Sequence, residues 1–425
     1  MTNVGETSVP PTTGPLTTQL AHTALVLEHL VAHGPSTRSE LATATGLGRG
    51  AIAGLTARLI DAGVLRPAQP DATGDGRAAP LSLSAADRVL VTCMIGADDA
   101  VATLAGLSGE ELGRFTVPFA DVEDVADLED VGDARSVTPA TALDALAAAL
   151  SRALARAERS EHPVAEVTVL VDGMVAGSPA VVITDARLGV EPVDVLGELR
   201  ARVPALAELE PELLLPLTLE PAAVAAAAAE RGELAGVTDL LYLAGDTAVA
   251  AAAVAGGRPL PGAHGLAMSF AHLPVVEDGV RCECGQRGCL ATVASPEHVL
   301  ERAGLTDFAA KHGREAALEE LVARIEAAED RARWSWLDAA RWVGRALQLV
   351  VPAIDPAMIV VGGYWARLLG DLDTAYRANR PTLGGGALGA IPTIVAARAG
   401  ADAPLVGARR QAKERLLADP LLLAR

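Results

Sequence analysis

The sequence predicts a mixed α/β protein of more than one domain, with a small helical unit at its N-terminus. From about residue 85 onward, strand-like apolar runs alternate with alanine-rich helical segments, which is the pattern of sheets covered by helices. The chain has 425 residues, 50% of them hydrophobic, so it exceeds the usual length of one domain and can bury a large core.

Composition excludes several classes of function. There are 35 Lys and Arg against 54 Asp and Glu, a formal net charge of −19, so contact with nucleic acid requires a local basic patch. The N-terminus lacks the basic start and apolar run of a signal peptide, and the longest apolar stretch, 241–257, is alanine-dominated and contains Asp246. We therefore expect a cytoplasmic protein that does not span a membrane.

The first predicted helix follows a start rich in Thr, Pro and Gly. Residues 1–15 are expected to form a disordered tail. Apolar residues then recur at helical spacing and predict one apolar face. They are Leu20, Ala24, Leu27 and Val31. Gly34-Pro35 ends this helix.

Two further helices and a hairpin follow. Thr37 and Glu40 have the spacing of a capping box, which starts the second helix, and Gly46 lies in the short turn after it. The third helix is predicted over residues 49–62, and strands are predicted at 64–66 and 81–83. Residues 16–84 thus predict a winged helix–turn–helix. The alternative is a small helical module for dimerisation or packing.

The larger part of the chain shows the α/β alternation directly. Strands are predicted at 89–95, 101–107, 167–171, 240–243, 358–361 and 394–397, and helices at 141–157 and 339–351. Residues 119–135 form an acidic insert that is expected to be solvated. No repeat of solenoid period is present.

The strongest local signal is a group of three cysteines with a histidine upstream. The candidate ligands are His272, Cys282, Cys284 and Cys289. Three thiolates and an imidazole can complete the tetrahedral shell of a structural Zn²⁺ ion, and Gly285 and Gly288 permit left-handed turns between them. The alternatives are three buried thiols with a Cys–Cys redox pair, and an ordinary core histidine at 272.

Around these cysteines the sequence resembles the ROK family, which comprises bacterial sugar kinases and sugar-responsive repressors. The resemblance rests on Gly262-Ala263-His264-Gly265, on His272, and on the turn from Cys282 to Leu290; supporting motifs are Ser178-Pro179 with Leu188-Gly189, Asp355-Pro356 with Val360-Val361-Gly362-Gly363, and residues 403–408. It covers about residues 16–415 and implies a two-lobed actin-like ATPase fold. The lobes are expected at 85–215 and 216–425, and the last helix is expected to be able to pack back on the first lobe.

The catalytic residues that the resemblance implies are replaced. The position of the Asp that would deprotonate a sugar hydroxyl is Ala222, and no Asp or Asn lies between Glu220 and Glu230. The first phosphate turn has Met94 in place of its Asp, and the second, at about 246–252, has alanines where glycines would approach a phosphate. We expect a chain that is not an enzyme and does not bind ATP.

The sugar pocket implied by the family is also depleted. Ser269 and Ala291 stand where the family has glutamates that accept sugar hydroxyls, and His272 is what remains of the polar contacts. Each such hydrogen bond contributes about 1 kcal/mol net. We therefore expect a weak or absent response to sugars.

The preceding helical unit resembles the repressor branch of the family, that of the xylose-operon and N-acetylglucosamine repressors. Its candidate DNA contacts are Thr37, Arg38, Arg49, Thr56, Arg58 and Arg77. Gly76-Arg77 resembles a linker whose Arg enters the minor groove, although Arg77 could equally be a solvated loop charge. The third helix begins Leu47-Gly48-Arg49-Gly50-Ala51 and offers few groups for base readout.

These observations predict a DNA-binding transcriptional regulator of repressor type, with a degenerate, non-catalytic effector domain. Its expected partners are a palindromic double-stranded operator and further copies of itself, as a homodimer or homotetramer. The first alternative is an interaction scaffold that does not bind DNA, which the depleted third helix and the net charge favour. The second alternative is a sugar kinase, which the missing Asp disfavours.

Overall fold

The computed structural model describes residues 15–68, 79–122, 138–378 and 391–424. The α-helices are α1 (Pro15–His33), α2 (Arg38–Thr45), α3 (Arg49–Asp61), α4 (Pro139–Arg159), α5 (Val195–Arg202), α6 (Pro204–Leu209), α7 (Ala222–Glu233), α8 (Ala291–Ala294), α9 (Pro296–Ala303), α10 (Thr306–His312), α11 (Arg314–Glu326), α12 (Asp330–Ile354), α13 (Leu369–Ala378) and α14 (Ala403–Ala418). The β-strands are β1 (Leu65–Pro67), β2 (Leu81–Leu83), β3 (Val89–Ile95), β4 (Asp99–Gly106), β5 (Glu111–Pro118), β6 (Val164–Val171), β7 (Met174–Ala176), β8 (Val181–Thr184), β9 (Thr218–Pro221), β10 (Leu240–Ala244), β11 (Ala250–Ala255), β12 (Arg258–Pro259), β13 (Met358–Val361) and β14 (Thr393–Ala396).

The chain divides into two compact units. The smaller contains the described residues within 1–88, 106–110 and 413–425, and the larger contains the rest of the described chain. The predicted tail lies outside the described residues except for Pro15, as does the acidic insert beyond residue 122. Among the described helices, none combines the length and the apolarity that crossing a bilayer requires.

The smaller unit contains α1, α2, α3 and the antiparallel pair β1–β2. The capping box at the start of α2 is confirmed, because the Thr37 hydroxyl accepts from the Glu40 amide and the Glu40 carboxylate accepts from the Thr37 amide at 2.7 Å. Gly46 ends α2 in the left-handed region at φ 71°. Strand β1 pairs with β2 from Leu65 opposite Leu83. The arrangement fits a helix–turn–helix followed by a short hairpin.

One detail of the predicted α1 face is wrong. Leu27 and Val31 are buried, but Leu20 is 63% exposed. Val26 and Leu30 complete the inner side instead. The predicted positions follow one line along the helix, whereas the buried stripe is wider and begins further along the chain.

The larger unit contains two five-stranded sheets of the same design. The first runs β5-β4-β3-β6-β9 and the second runs β12-β11-β10-β13-β14. In each sheet the strands on one side pair antiparallel, as β4 does with β5 and β10 with β11, and those on the other side pair parallel, as β3 does with β6 and β10 with β13. We call the first sheet with its helices the first lobe and the second sheet with its helices the second lobe.

The expected lobe boundary at residue 215 is displaced. Strand β9 pairs parallel with β6 from Thr168 opposite Thr218, so it belongs to the first sheet and the boundary follows Pro221. Helix α14 packs on the first lobe, where Leu405 and Ala408 join an apolar cluster with Val101 of β4 and Leu170 of β6. The last helix thus returns to the lobe in which the larger unit begins.

Candidate functional site

Four potential metal ligands converge in the second lobe. His272 ends a short 3-10 turn, and the loop from there to α8 carries Cys282, Cys284 and Cys289. One ligand atom from each residue lies within 4.8 Å of all the others. The structure thus brings together the four residues that the sequence singled out.

Two of the six distances between ligand atoms match those of a tetrahedral ion. The Sγ of Cys282 lies 3.6 Å from Nδ1 of His272, and the Sγ of Cys284 lies 3.6 Å from the Sγ of Cys289. Metal–sulfur bonds of about 2.3 Å and metal–nitrogen bonds of about 2.0 Å in a tetrahedron place ligand atoms about 3.5–3.8 Å apart. The cysteines are free thiols, so the cluster is not a disulfide in this state.

Glycines allow the ligand loop to fold back on itself. Gly285 and Gly288 have φ values of 91° and 72°, which confirms the predicted left-handed turns. A Cβ on Gly288 would overlap the carbonyl oxygen of Val276, so no other residue fits there without moving the loop. The Cys282 amide donates to the Gln286 carbonyl at 2.8 Å and closes the turn.

Burial sets the charge state of the ligands. Burial lowers the pKa of His272, which keeps its imidazole neutral and able to donate a lone pair. Burial also raises the pKa of Cys282 and of Cys289. A cation at this point would supply the positive charge that stabilises thiolates here. The donor set can therefore hold a metal ion, which would supply the charge that the thiolates need.

The two positions where the resemblance implies acidic groups have apolar surroundings. Ala222 opens α7, is 2% exposed, and lies in the apolar cluster that Leu170 and Leu405 share. Met94, near the end of β3, packs against the same cluster. The two replacements therefore contact one shared apolar cluster.

Asp246 occupies the turn between β10 and β11. Its carboxylate accepts from the Tyr364 amide at 2.9 Å. A Cβ on Gly363 would overlap the same carboxylate, so the side chain rests directly on the Gly363 backbone. The acid thus satisfies a backbone donor shortly after the end of β13.

Sequence reasoning missed a group of charged residues between the lobes. Asp172 follows β6 in the first lobe and hydrogen-bonds Thr247 of the second lobe. Arg314 donates to the Thr247 carbonyl at 2.7 Å and pairs with Glu297 at 2.7 Å. Burial, and then the charge of Asp185, raise the pKa of Asp172 to about 7. The available signal was the position of Asp172 at the carboxyl end of a buried parallel strand.

The two positions where the resemblance implies sugar-binding glutamates offer few polar groups to a ligand. The Ser269 hydroxyl donates to the Leu266 carbonyl at 2.7 Å. Ala291 is the first residue of α8 and is partly buried.

The candidate DNA contacts fall into three groups. Arg49 and Arg58 are exposed toward the two ends of α3. Arg38 is partly buried and its Nε donates to the Thr56 hydroxyl at 2.9 Å. Arg77 lies outside the described residues.

Thr37 and Thr56 have intramolecular roles. The Thr37 hydroxyl caps α2 and also donates to Glu40 at 2.9 Å. Thr56 is fully buried and its hydroxyl donates to the Ile52 carbonyl at 2.8 Å. The expectation that Thr56 itself contacts DNA is therefore wrong, because its side chain has no exposed surface. Its role in the structure is to hold Arg38.

Two sheets of the same order, each covered by helices and with charged groups between them, define an actin-like kinase fold. The chain belongs to the ROK family, whose profile matches residues 95–415. This confirms the family resemblance drawn from the cysteine turn.

Individual relatives include both regulators and kinases. The solved structure of a ROK family transcriptional regulator, a homologue of the E. coli MLC protein, matches with a TM-score of 0.67 at 20% identity and covers 96% of this chain and 98% of that chain. A ROK family glucokinase from Streptomyces griseus, solved with glucose and AMPPNP, matches with a TM-score of 0.58 at 24% identity over 77% of this chain and 99% of that chain. At these identities the likeness establishes the fold.

A glucokinase of Halalkalibacterium halodurans is 33% identical over 170 residues, which are 37% of this chain and 51% of that protein. The chain thus spans about half the length of this relative.

Proposed function

We propose that this chain is a DNA-binding transcriptional regulator of repressor type, acting on a palindromic operator as a homodimer or homotetramer. The observation that carries the proposal is the smaller unit, with a capped α2, a turn and an exposed α3 before the ROK lobes. The likeness to the solved regulator supports it by covering 96% of this chain, against 77% for the glucokinase.

In this proposal α3 is the DNA-reading helix and works mainly through its backbone and arginines. Its outer side is formed by Gly50, Ala53 and Gly54, all exposed. Small residues let a helix lie close to the floor or wall of a groove. Arg49 and Arg58 would contact DNA phosphates. Arg38, which Thr56 holds, would contact the DNA backbone next to α2. We expect modest base specificity and a large phosphate contribution.

The second part of the proposal is a structural zinc ion held by His272, Cys282, Cys284 and Cys289. Three thiolates and an imidazole leave no open coordination position, which is typical of structural rather than catalytic zinc. Bound zinc would supply folding free energy by cross-linking the ligand loop to the turn before it.

The third part is that the lobes do not phosphorylate sugars. Met94 and Ala222 carry no carboxylate, and their apolar contacts support this part of the proposal. Without a proton acceptor at 222, general-base activation of a sugar hydroxyl has no group to perform it there. The lobes would then serve as an effector or assembly domain with a weak or absent sugar response.

The test of DNA binding is selection of genomic fragments by the purified protein at about 50 and 200 mM salt. We expect one enriched two-fold-symmetric site that persists at the higher salt. Arg49→Ala should weaken binding and flatten its salt dependence, whereas Arg159→Ala, an exposed arginine of α4, should leave both unchanged. Uniform binding that vanishes with salt, or no binding, would overturn the proposal and favour the scaffold alternative.

A sugar kinase remains the second candidate, because matched relatives are named glucokinases. It predicts ADP release from ATP in the presence of a hexose. The regulator proposal predicts none.

A further inference from the structure

Two histidines lie side by side near the end of α1. His29 and His33 are four positions apart, which places them on the same side of the helix with their Cβ atoms about 5–6 Å from each other. Their rings stack, with centroids 4.3 Å apart and an angle of 19° between the ring planes. His33 is exposed and His29 is half-buried, so an ion from solvent can reach the pair.

A hydrogen bond fixes the position of the proton on one of the two rings. Nδ1 of His33 lies 3.1 Å from the carbonyl oxygen of His29. A carbonyl oxygen can only accept, so Nδ1 carries the proton and donates it to this bond. The lone pair of His33 is then on Nε2, which can bind an ion. Histidines that bind metals commonly donate their other ring N–H to a backbone carbonyl in this way.

The distance between the rings suits one ion shared by both. Two nitrogen ligands that each lie about 2.0–2.1 Å from one ion, at adjacent coordination positions, are about 2.8–3.4 Å apart. The two rings are stacked at 4.3 Å, so a rotation about their side-chain bonds brings their nitrogens to this separation. The backbone of α1 can stay in place.

The position of the pair on the helix favours a cation. Helix α1 ends at His33, and the Gly34 amide donates to the Leu30 carbonyl at 3.0 Å. The carbonyls of the last turn give this end of the helix a partial negative charge, which stabilises a nearby cation. A divalent ion at the two imidazoles would therefore gain both their lone pairs and a favourable electrostatic field.

We propose that His29 and His33 bind one divalent ion of a late first-row transition metal, such as Ni²⁺, Cu²⁺ or Zn²⁺, on the surface of the smaller unit. Imidazole nitrogens suit these ions, and two histidines at this helical spacing are zinc ligands in other proteins. Two protein ligands leave the remaining coordination positions to water, so this ion is exchangeable, unlike one enclosed by three thiolates and an imidazole. The site requires neither DNA nor the cysteine cluster.

The test is equilibrium dialysis of the untagged full chain against Ni²⁺, with nickel and zinc measured by mass spectrometry. We expect one exchangeable Ni²⁺ ion per chain. His29→Gln and His33→Gln each remove one ligand and should weaken binding at least about tenfold, since loss of a mere supporting group already has an effect of that size. His22→Gln is the matched control and should bind as the wild type does. His22 lies on the same side of α1, but about 10 Å from His29 along the helix, too far to share the ion.

A second measurement separates binding at α1 from exchange at the cysteine cluster. Ni²⁺ should raise the melting temperature of the wild-type chain, because the folded helix binds the ion more tightly than the unfolded chain does, and should raise it less in His33→Gln. Zinc content should stay constant as Ni²⁺ is added. The proposal is overturned by a wild-type chain that binds no Ni²⁺, or by nickel uptake that equals zinc release. It is also overturned by binding that is unchanged in both His29→Gln and His33→Gln, or lost equally in His22→Gln.

Discussion

The metal cluster and the apolar cluster around Ala222 differ in the polar groups that they contain. At the cluster, four ligand residues converge and the glycines that the loop requires are present. Away from it, Met94 and Ala222 contact one buried apolar cluster, and the Asp246 carboxylate accepts a hydrogen bond from the Tyr364 amide. One region has a full donor set for an ion, and the other has no carboxylate at the two positions where the family resemblance implies one.

Under the proposed function, the metal site is kept where the neighbouring kinase chemistry is lost. A metal cross-link contributes to folding whatever the lobes do. A general base is useful only in a protein that catalyses the proton transfer. In a protein that does not, a buried carboxylate lowers the free energy of unfolding without a compensating gain. Binding and assembly thus become the functions to test first.

The largest effect should come from breaking the metal cluster. Cys289→Ala removes a buried ligand and should lower the free energy of unfolding by several kcal/mol, because structural metal binding is folding free energy. Metal content by mass spectrometry should fall from one ion per chain. Cys93→Ala, the cysteine outside the cluster, should retain the ion. Unchanged metal content in Cys289→Ala, or none in the wild type, would contradict the zinc assignment.

The next largest effect should come from restoring a carboxylate at position 222. Ala222→Asp places a carboxylate in an apolar cluster with Leu170 and Leu405, and burial of the unpaired group should cost about 2–4 kcal/mol. Chemical denaturation should show the loss. Ala222→Ser adds a smaller polar group and should cost less. An Ala222→Asp variant that is as stable as the wild type and releases ADP in the presence of glucose would contradict this account.

A third prediction concerns pH. The pKa of Asp172 is raised to about 7 in the folded chain, chiefly by burial and then by Asp185. The group is protonated in both states below about pH 4, and the folded state binds the extra proton between about pH 4 and 7. Stability should therefore fall as pH rises through that window, by about 2 kcal/mol between pH 5 and 8.

Denaturation midpoints at several pH values measure this slope. Asp172→Asn should flatten it and be the more stable chain at about pH 8, whereas Asp355→Asn, an exposed aspartate, should keep it. An identical slope in Asp172→Asn and in the wild type would contradict the assignment.

The smallest effect compares two glycines. Gly54 lies in α3, and a Cβ there meets nothing closer than the tip of Arg58 at 4.0 Å, so Gly54→Ala should stabilise the chain by about 0.5–1 kcal/mol. Gly288→Ala should destabilise it, since its Cβ would overlap the Val276 carbonyl. Thermal melting compares the two variants. A melting temperature that rises in both, or falls in both, would contradict the assigned surroundings of the two glycines.

The sequence predicted the elements whose signals are local. The capping box needs only Thr37 and Glu40, and the metal turn needs residues within one loop and one histidine before it. Both depend on spacing along the chain, which the sequence displays directly. The strand segments near 89–95 and 358–361 also follow from short apolar runs.

What could not be predicted depends on contacts between distant segments. The pairing of β9 with β6 moved the lobe boundary, and the bond from Asp172 to Thr247 joins residues of different lobes. The apolar pattern of α3 does not show whether Thr56 is buried or exposed. The hydrogen bond between Thr56 and Arg38 joins two helices. Such contacts are set by tertiary packing, not by local spacing.

The contrast between the metal cluster and the apolar cluster around Ala222 is tested most directly on one purified sample. Its metal content is measured together with ADP release from ATP in the presence of a panel of hexoses. We predict one zinc ion per chain and no ADP above background. Turnover that survives purification and disappears when this chain is mutated would contradict the interpretation, because a phosphoryl-transfer site would then exist without a carboxylate at Ala222.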